Sequence, residues 1–167
     1  MSPKVLLLSS VGWPSVARLA AGFAHANCTV EALAPAGAAI IASRYLARWR
    51  RYRALFPRAS MRRAIDAAAP DLLVCCDDRS VAHLLDLYAE RSGDRQFARL
   101  VETSLGNPAA IPRLVSRNGF MAEARAEGIR VPWTVALSNE DEADAAAGFL
   151  GLPVVIKSDG SWGGEGV

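Results

Sequence analysis

A lysine followed by closely spaced glycines lies in the last part of the sequence. Lys157 follows the apolar segment 152–156, which has the pattern of a buried strand. The residues of the glycine-rich loop after it are Gly160, Ser161, Gly163, Gly164 and Gly166. Glycine allows positive φ and close backbone approach, so that several N–H groups converge on phosphate oxygens. The segment predicts a nucleotide-phosphate site with Lys157 at the end of a strand; a flexible hairpin with an incidental lysine is the alternative.

This loop matches neither of the two common glycine-rich nucleotide motifs. The sequence contains no G-x-x-x-x-G-K-[ST], and the first predicted strand-to-helix turn, residues 9–14, lacks G-x-G-x-x-G. A P-loop NTPase and a standard dinucleotide-binding Rossmann domain are therefore both disfavoured.

Composition limits the class of protein. The chain has 167 residues, 51% of them hydrophobic, and a net charge of +2, which indicates a soluble globular protein with one core or slightly more. No apolar run reaches the length of about 18 residues that would predict a membrane span. Cys28, Cys75 and Cys76 form no C-x-x-C pair and are interpreted as small hydrophobic residues in a reducing cytoplasm. Because the chain has only His25 and His83, a zinc site and a Ser-His-Asp triad are disfavoured, and each histidine is interpreted as a packing or surface residue. We predict no metal ligand and no catalytic residue in this chain.

The first part of the chain alternates between strand and helix patterns. Apolar runs predict strands at residues 5–9, 28–33 and 72–76, and helical spacing predicts helices at 15–26 and 80–90. Residues 40–69 are helical in composition, with a break near Phe56 and Pro57 and with Ser60 as the cap of the second piece. This order is typical of a parallel α/β sheet with right-handed crossovers.

Ligands of such sheets bind beyond the carboxyl ends of the strands. Gly12 and Trp13 follow the first predicted strand, and Asp77 and Asp78 follow the third, so these four residues are candidate substrate contacts. The two carboxylates would orient an amine or another cationic part of a substrate. Equally, they would serve as helix N-terminal carboxylates that the helix dipole favours.

The second part of the chain has clear helix boundaries. The predicted elements are a helical stretch 94–114 broken at 105–108, a helix capped by Ser116 and ended by Gly128, a strand 133–137 introduced by Pro132, and a helix ended by Gly151. Ser138 with Asp141 makes a capping-box-like start to the last helix.

Three segments, 116–134, 150–157 and 160–167, together resemble the ATP-grasp superfamily. They contain a basic residue opening a short helix, a G-I-x-V-P turn, a helix ending in L-G-x-P-V-V-x-K, and a glycine loop, in that order. Many members have lysine where Arg117 stands, but the large subunit of carbamoyl-phosphate synthase is similar to this chain in having arginine. Arginine also suits bidentate phosphate contact.

The resemblance implies a fold and a set of nucleotide contacts. Residues 1–112 would form a Rossmann-like pre-ATP-grasp domain, and residues 113–167 the beginning of an ATP-grasp α+β lobe that ends at the glycine loop. Arg117 would reach the phosphate and ribose side of ATP, and Lys157 its α- and β-phosphates. Ser161, Gly163, Gly164 and Gly166 would supply backbone contacts to the phosphates.

The activity implied is that of an ATP-dependent ligase joining a carboxylate to an amine, or less often to a thiol, through an acyl phosphate. In the family the Mg²⁺ ligands, the adenine hinge and a further arginine follow the glycine loop, and none of them is present before Val167. We therefore expect this chain alone to bind ATP weakly and to have no ligase activity. The alternative is a split ligase in which this chain is the non-catalytic interaction or regulatory half. The expected partners are a small carboxylate and an amine substrate, together with either a second copy of the chain or a missing C-terminal half.

The basic segment, residues 44–63, has eight arginines and no acidic residue. Tyr45, Trp49, Tyr52 and Phe56 lie among the arginines, a composition suited to phosphate backbones and base stacking. Three interpretations remain open: a solvated helical face with the rings packed inward, a site for an anionic substrate or partner chain, and a nucleic-acid-binding module. A flavodoxin-like or receiver domain is disfavoured because it has no place for the residues from 116 onward.

Overall fold

The computed structural model describes residues 2–157, apart from the side chains of Leu114 and Val115. The chain divides into two compact units, Met1–Pro108 and Ala109–Val167. Each unit is described separately below.

A four-stranded parallel sheet forms the centre of the first unit. Its strands are β1 (Lys4–Leu8), β2 (Thr29–Ala34), β3 (Arg48–Arg51) and β4 (Leu72–Cys75), in the spatial order β3-β2-β1-β4. The prediction of an α/β fold with a Rossmann-like parallel sheet is confirmed to this extent. β1 lies inside the sheet, and its leucines are completely buried, as expected for a strand covered on both faces.

Helices cover both faces of this sheet. They are α1 (Ser15–His25), α2 (Pro57–Ala68), α3 (Asp78–Glu90) and α4 (Arg95–Leu105), with a short 3₁₀ helix at Ala39–Ala42. Successive residues of a strand point to opposite faces, so Leu6 and Leu8 pack with buried residues of α2, α3 and α4. Val5 and Leu7 pack on the other face with residues of α1. Each fully buried leucine contributes roughly 2 kcal/mol through removal of apolar surface from water.

The helical prediction for residues 40–56 is wrong, because this stretch contains the 3₁₀ helix and strand β3. Pairing with β2 overrides the helical composition: the Arg50 guanidinium forms an ion pair with the Glu31 carboxylate, and the Trp49 indole N–H donates to the Ala34 carbonyl over 3.0 Å. Ser60 is not the cap of α2. It lies inside the first turn, where its Oγ donates to the Phe56 carbonyl over 2.8 Å.

The second unit begins with two helices in close contact, α5 (Ile111–Val115) and α6 (Arg117–Ala126). The predicted boundaries of α6 are confirmed: the Ser116 side chain accepts a hydrogen bond from the Gly119 N–H at 3.2 Å, and Gly128 adopts a φ of +73° beyond the last turn. Left-handed backbone of this kind favours glycine and stops the helix.

The last helix of the described residues, α7 (Asp141–Leu150), ends at Gly151 as predicted, with a φ of +78°. Its predicted capping box is wrong. The side chain of Asn139, rather than Ser138, accepts from the Glu142 N–H at 3.0 Å, and the Glu142 carboxylate accepts from the Ser138 N–H at 2.8 Å.

Two predicted strands, 133–137 and the apolar segment before Lys157, are not strands in the structure. Both have the apolar, β-branched composition of a strand, but a strand is stabilised by its hydrogen bonds to a neighbour. Within residues 2–157 no strand lies beside either segment. Trp133, Leu152 and Val155 are consequently exposed.

Gly119 allows α6 to approach α5, and its replacement should show this. A Cβ at position 119 would lie 2.2 Å from the Arg113 carbonyl oxygen, a backbone atom that cannot turn aside. We expect Gly119→Ala to destabilise the α5–α6 pair by about 2 kcal/mol through overpacking. Hydrogen exchange of α6 amides would measure the loss.

Gly148→Ala is the matched control for this substitution. Gly148 is exposed within α7, and an added Cβ there meets no atom within 4 Å. Because alanine is the better helix former, this change should stabilise α7 by about 1 kcal/mol. Destabilisation of the same size at both positions would contradict the steric explanation.

Candidate functional site

The carboxyl edge of the sheet in the first unit contains the predicted substrate residues. β1 and β4 are neighbours in the sheet, whereas β2 and β3 continue from β1 in the other direction, so the strand order reverses between β1 and β4. In open parallel sheets ligands bind at such a reversal, beyond the strand ends. Ser9 and Ser10 follow β1 at this point, and Asp77 follows β4.

Asp77 ties the two strand ends together. Its Oδ1 accepts from Ser10 Oγ and from the Ser80 N–H, each at 2.8 Å. Its Oδ2 accepts from the Ser10 N–H at 2.7 Å and from Ser9 Oγ at 3.2 Å. The bond from Ser80 N–H and the reciprocal contact of Ser80 Oγ with the Asp77 N–H form a capping box on α3. The helix-capping interpretation of Asp77 is thereby confirmed, and each of its carboxylate oxygens already has two donors.

The other candidate substrate residues lie on the surface of this edge. Trp13 is 45% exposed, Asp78 is exposed in the first turn of α3, and exposed Gly12 lies beside Ala38. A Cβ on Gly12 would make only an ordinary contact, 3.5 Å from the Ala38 Cα, so this turn does not require glycine for space. Contact of Gly12, Trp13, Asp77 or Asp78 with a substrate stays a prediction.

Tyr52 and His83 form a further polar contact that the sequence reasoning did not identify. Tyr52 Oη lies 3.3 Å from His83 Nε2, and Tyr52 is almost completely buried. Burial raises the pKa of Tyr52 and lowers the pKa of His83, so the pair is neutral at pH 7. Tyr52 immediately follows β3, and because β3 was predicted as helix, no sequence signal placed this hydroxyl near the strand ends.

Cys75 and Cys76 are not reactive thiols. Burial raises the pKa of each to about 12, so both remain protonated at neutral pH. A thiol is a nucleophile or a metal ligand as its thiolate. This agrees with their interpretation as small hydrophobic residues.

The predicted nucleotide contacts belong to the second unit. Arg117 is the first residue of α6, directly after the Ser116 cap, and is partly exposed. Lys157 is exposed, in a stretch beyond α7 that is neither helix nor strand. The remaining predicted contacts, Ser161, Gly163, Gly164 and Gly166, lie outside the described residues. That Arg117 and Lys157 hold one ligand stays a prediction.

The arginines of the basic segment differ in their surroundings. Arg50 pairs with Glu31, and Arg58 pairs with Glu90. The other six arginines of the segment form no ion pair with a carboxylate of the described residues; they are Arg44, Arg48, Arg51, Arg53, Arg62 and Arg63. The expected solvated helical face is therefore only partly correct, since three of the eight arginines lie on β3.

Three of the four aromatic rings of the basic segment pack inward, as that interpretation expected, whereas Phe56 is 62% exposed. The Trp49 indole is half-buried with its N–H bonded to the Ala34 carbonyl, and Tyr52 is buried in the core on the other face of the sheet. Tyr45 stacks edge-on against His25, with ring centroids 5.1 Å apart. These three rings are therefore engaged within the first unit rather than presented to a base.

No protein-family model matches the chain, and neither does any curated protein sequence. The helices formed by residues 2–157 are all too short or too polar to cross a membrane. Across the same residues, histidine, cysteine, aspartate and glutamate nowhere form a group of three suited to a metal ion.

Proposed function

We propose that this chain binds ATP as the nucleotide-gripping part of an ATP-grasp carboxylate–amine ligase. The observation that carries the proposal is that the two cationic residues predicted to bind phosphate each lie close in sequence to a well-defined helix end. Arg117 begins α6 behind the Ser116 cap, and Lys157 follows the Gly151 stop of α7. The parallel α/β unit that precedes them is consistent with the domain expected ahead of this site.

The chemistry of these residues suits a nucleoside triphosphate. An arginine at the first position of a helix adds its forked donors to the positive end of the helix dipole, which favours phosphate oxygens. The exposed Lys157 ammonium is a compact cation that can follow a phosphate chain.

In the proposed reaction, a carboxylate oxygen of the substrate attacks the γ-phosphorus of ATP, which gives an acyl phosphate and releases ADP. An amine then attacks the acyl carbon and releases phosphate. The task of Arg117 and Lys157 is to bind and orient the phosphates and to neutralise their charge. We assign no magnesium ligand to residues 2–157, where histidine, cysteine, aspartate and glutamate form no group of three or more that could hold a metal ion.

Affinity labelling of lysine tests the nucleotide site directly. The sequence contains only two lysines, Lys4 and Lys157. A biotin acyl phosphate of ATP transfers its acyl group to a lysine amine near bound phosphates, with ATP as the leaving group. We expect labelling of Lys157 that excess ATP suppresses and that Arg117→Ala reduces by about tenfold, which corresponds to roughly 1.4 kcal/mol of binding.

Lys4 and Arg130 provide the controls. Lys4 Nζ donates to the Ala68 carbonyl at 2.6 Å in the first unit and should remain unlabelled. Arg130→Ala removes the same charge from an exposed position shortly after α6 and should leave the labelling unchanged. Labelling that ATP does not suppress, or that falls equally in both arginine variants, would refute the proposal.

A further inference from the structure

Strand β3 lies at one end of the sheet and is paired on one side only. It pairs with β2, and no strand of residues 2–157 lies along its other side. The outward backbone N–H and C=O groups of such a strand are a ready template for an added strand. We call the residues Arg48–Arg51 with these outward groups the β3 edge.

The β3 edge is strongly cationic. Arg48 and Arg51 are exposed and form no ion pair within the described part of the chain, and Arg53 follows them in the same condition. Arg50 is different, because its guanidinium is already paired with Glu31. Since side chains alternate along a strand, Arg48 points to one face of the sheet and Arg51 to the other. A neighbouring strand would thus meet an unpaired guanidinium on each of its faces.

An exposed apolar pair follows this edge in the sequence. Leu55 is 87% exposed and Phe56 is 62% exposed, just before α2 begins. Adjacent aromatic and aliphatic side chains in solvent are suited to be the anchor of an interface, with charged residues around it. The surface therefore combines backbone hydrogen-bonding groups, positive charge and an apolar anchor.

The residues around the β3 edge disfavour several of the molecules that could bind there. A second copy of β3 would place arginine opposite or diagonal to arginine, and like charges across strands are destabilising. A nucleic acid would use several stacking rings, but Tyr45, Trp49 and Tyr52 are engaged in the protein, so that Phe56 alone of the segment's four rings is exposed. One or two charges on an edge strand are enough to protect it against aggregation. The arginines extend well beyond β3, so this protection does not account for all of them.

We propose that the β3 edge binds an extended acidic segment of a partner protein as a fifth strand. The spacing of the unpaired arginines sets the register: acidic side chains opposite Arg48 and Arg51 are three positions apart on the partner strand. Main-chain hydrogen bonds hold the segment, and the two carboxylates select it. An apolar residue beyond them contacts Leu55 and Phe56.

The test uses a short fluorescein-labelled peptide of threonine and valine that carries two glutamates three positions apart and a terminal leucine. Binding to the whole chain is followed by fluorescence anisotropy. We expect saturable binding that falls at least about tenfold for the double variant Arg48→Glu with Arg51→Glu. A peptide with methylated backbone nitrogens should not bind, because it cannot pair with the edge.

Two further controls make the result specific. The double variant Arg62→Glu with Arg63→Glu makes the same charge change on the exposed side of α2 and should weaken binding less than about threefold. A peptide with lysines in place of the glutamates should bind the Arg48→Glu, Arg51→Glu chain, which also shows that this variant is folded. Equal loss in both double variants, full binding of the methylated peptide, tighter binding of single-stranded DNA, or no binding of the acidic peptide would each overturn the proposal.

Discussion

Replacement of Asp77 by alanine is expected to destabilise the first unit by about 3 kcal/mol. Loss of the N-cap of α3 costs about 1 kcal/mol, and a buried donor left without an acceptor costs about 1–3 kcal/mol more. The donor most affected is the Ser10 N–H, because Ser10 is almost completely buried and its contact with Asp77 is only 2.7 Å long. Ser9 Oγ is affected less, since it also donates to the Val11 carbonyl over 2.6 Å.

Urea unfolding followed by far-UV circular dichroism would measure this loss. Asp77→Asn separates the two roles of the side chain. The amide oxygen of asparagine still caps α3, but its NH₂ group cannot accept from the Ser10 N–H, so we expect an intermediate loss of about 1.5 kcal/mol. Asp78→Ala removes an exposed carboxylate next to it and should change stability by less than about 0.5 kcal/mol. Equal effects at positions 77 and 78 would show that Asp77 does not clamp the strand ends.

Loss of the ion pair between Glu31 and Arg50 is expected to cause the second large decrease in stability. Glu31 lies on β2, and its side chain is 11% exposed, while that of Arg50 is 16% exposed. Arg50→Ala leaves a carboxylate in the sheet without its cation, which should cost about 3–5 kcal/mol. The loss would appear in urea unfolding and as faster hydrogen exchange in β2 and β3.

A double variant distinguishes the pair from simple loss of packing. Glu31→Leu together with Arg50→Met replaces both charges with apolar groups of similar length, and we expect stability within about 1 kcal/mol of the unchanged chain. Arg48→Ala, on the same strand but exposed and without an ion pair to a described residue, should have an effect below about 0.5 kcal/mol. A double variant as unstable as Arg50→Ala would contradict the electrostatic explanation.

Sequence patterns predicted the elements whose signals are local. β1, β2 and β4 are short apolar runs bounded by polar residues, and α6 has a serine cap and a terminal glycine. β3 was missed because the segment Arg48–Arg51 has no apolar alternation. Its strand conformation comes from β2, through the Glu31 ion pair and the Trp49 contact, and such lateral contacts leave no periodic pattern.

The opposite error occurred at residues 133–137 and before Lys157. There the strand pattern is present, but the pattern describes one strand and says nothing of its neighbour. The same limit applies to the carboxyl edge of the sheet. Asp77 is recognisable in the sequence because it follows an apolar run. Its bonds to Ser9 and Ser10, however, depend on which strands are adjacent in the sheet. The contact between Tyr52 and His83 likewise depends on β3, which the sequence pattern does not predict.

The spatial order of the strands also sets the order in which the sheet can be completed during synthesis. β1 can pair with β2 soon after both leave the ribosome, but its other neighbour, β4, is made only after α1, β2, β3 and α2. In that interval one side of the apolar strand Lys4–Leu8 is open, which is the condition under which nascent strands aggregate. Closing the β1–β4 ladder is a long-range event and hence slow. Asp77 emerges directly after β4, so its bonds to Ser9 and Ser10 form as the vulnerable interval ends.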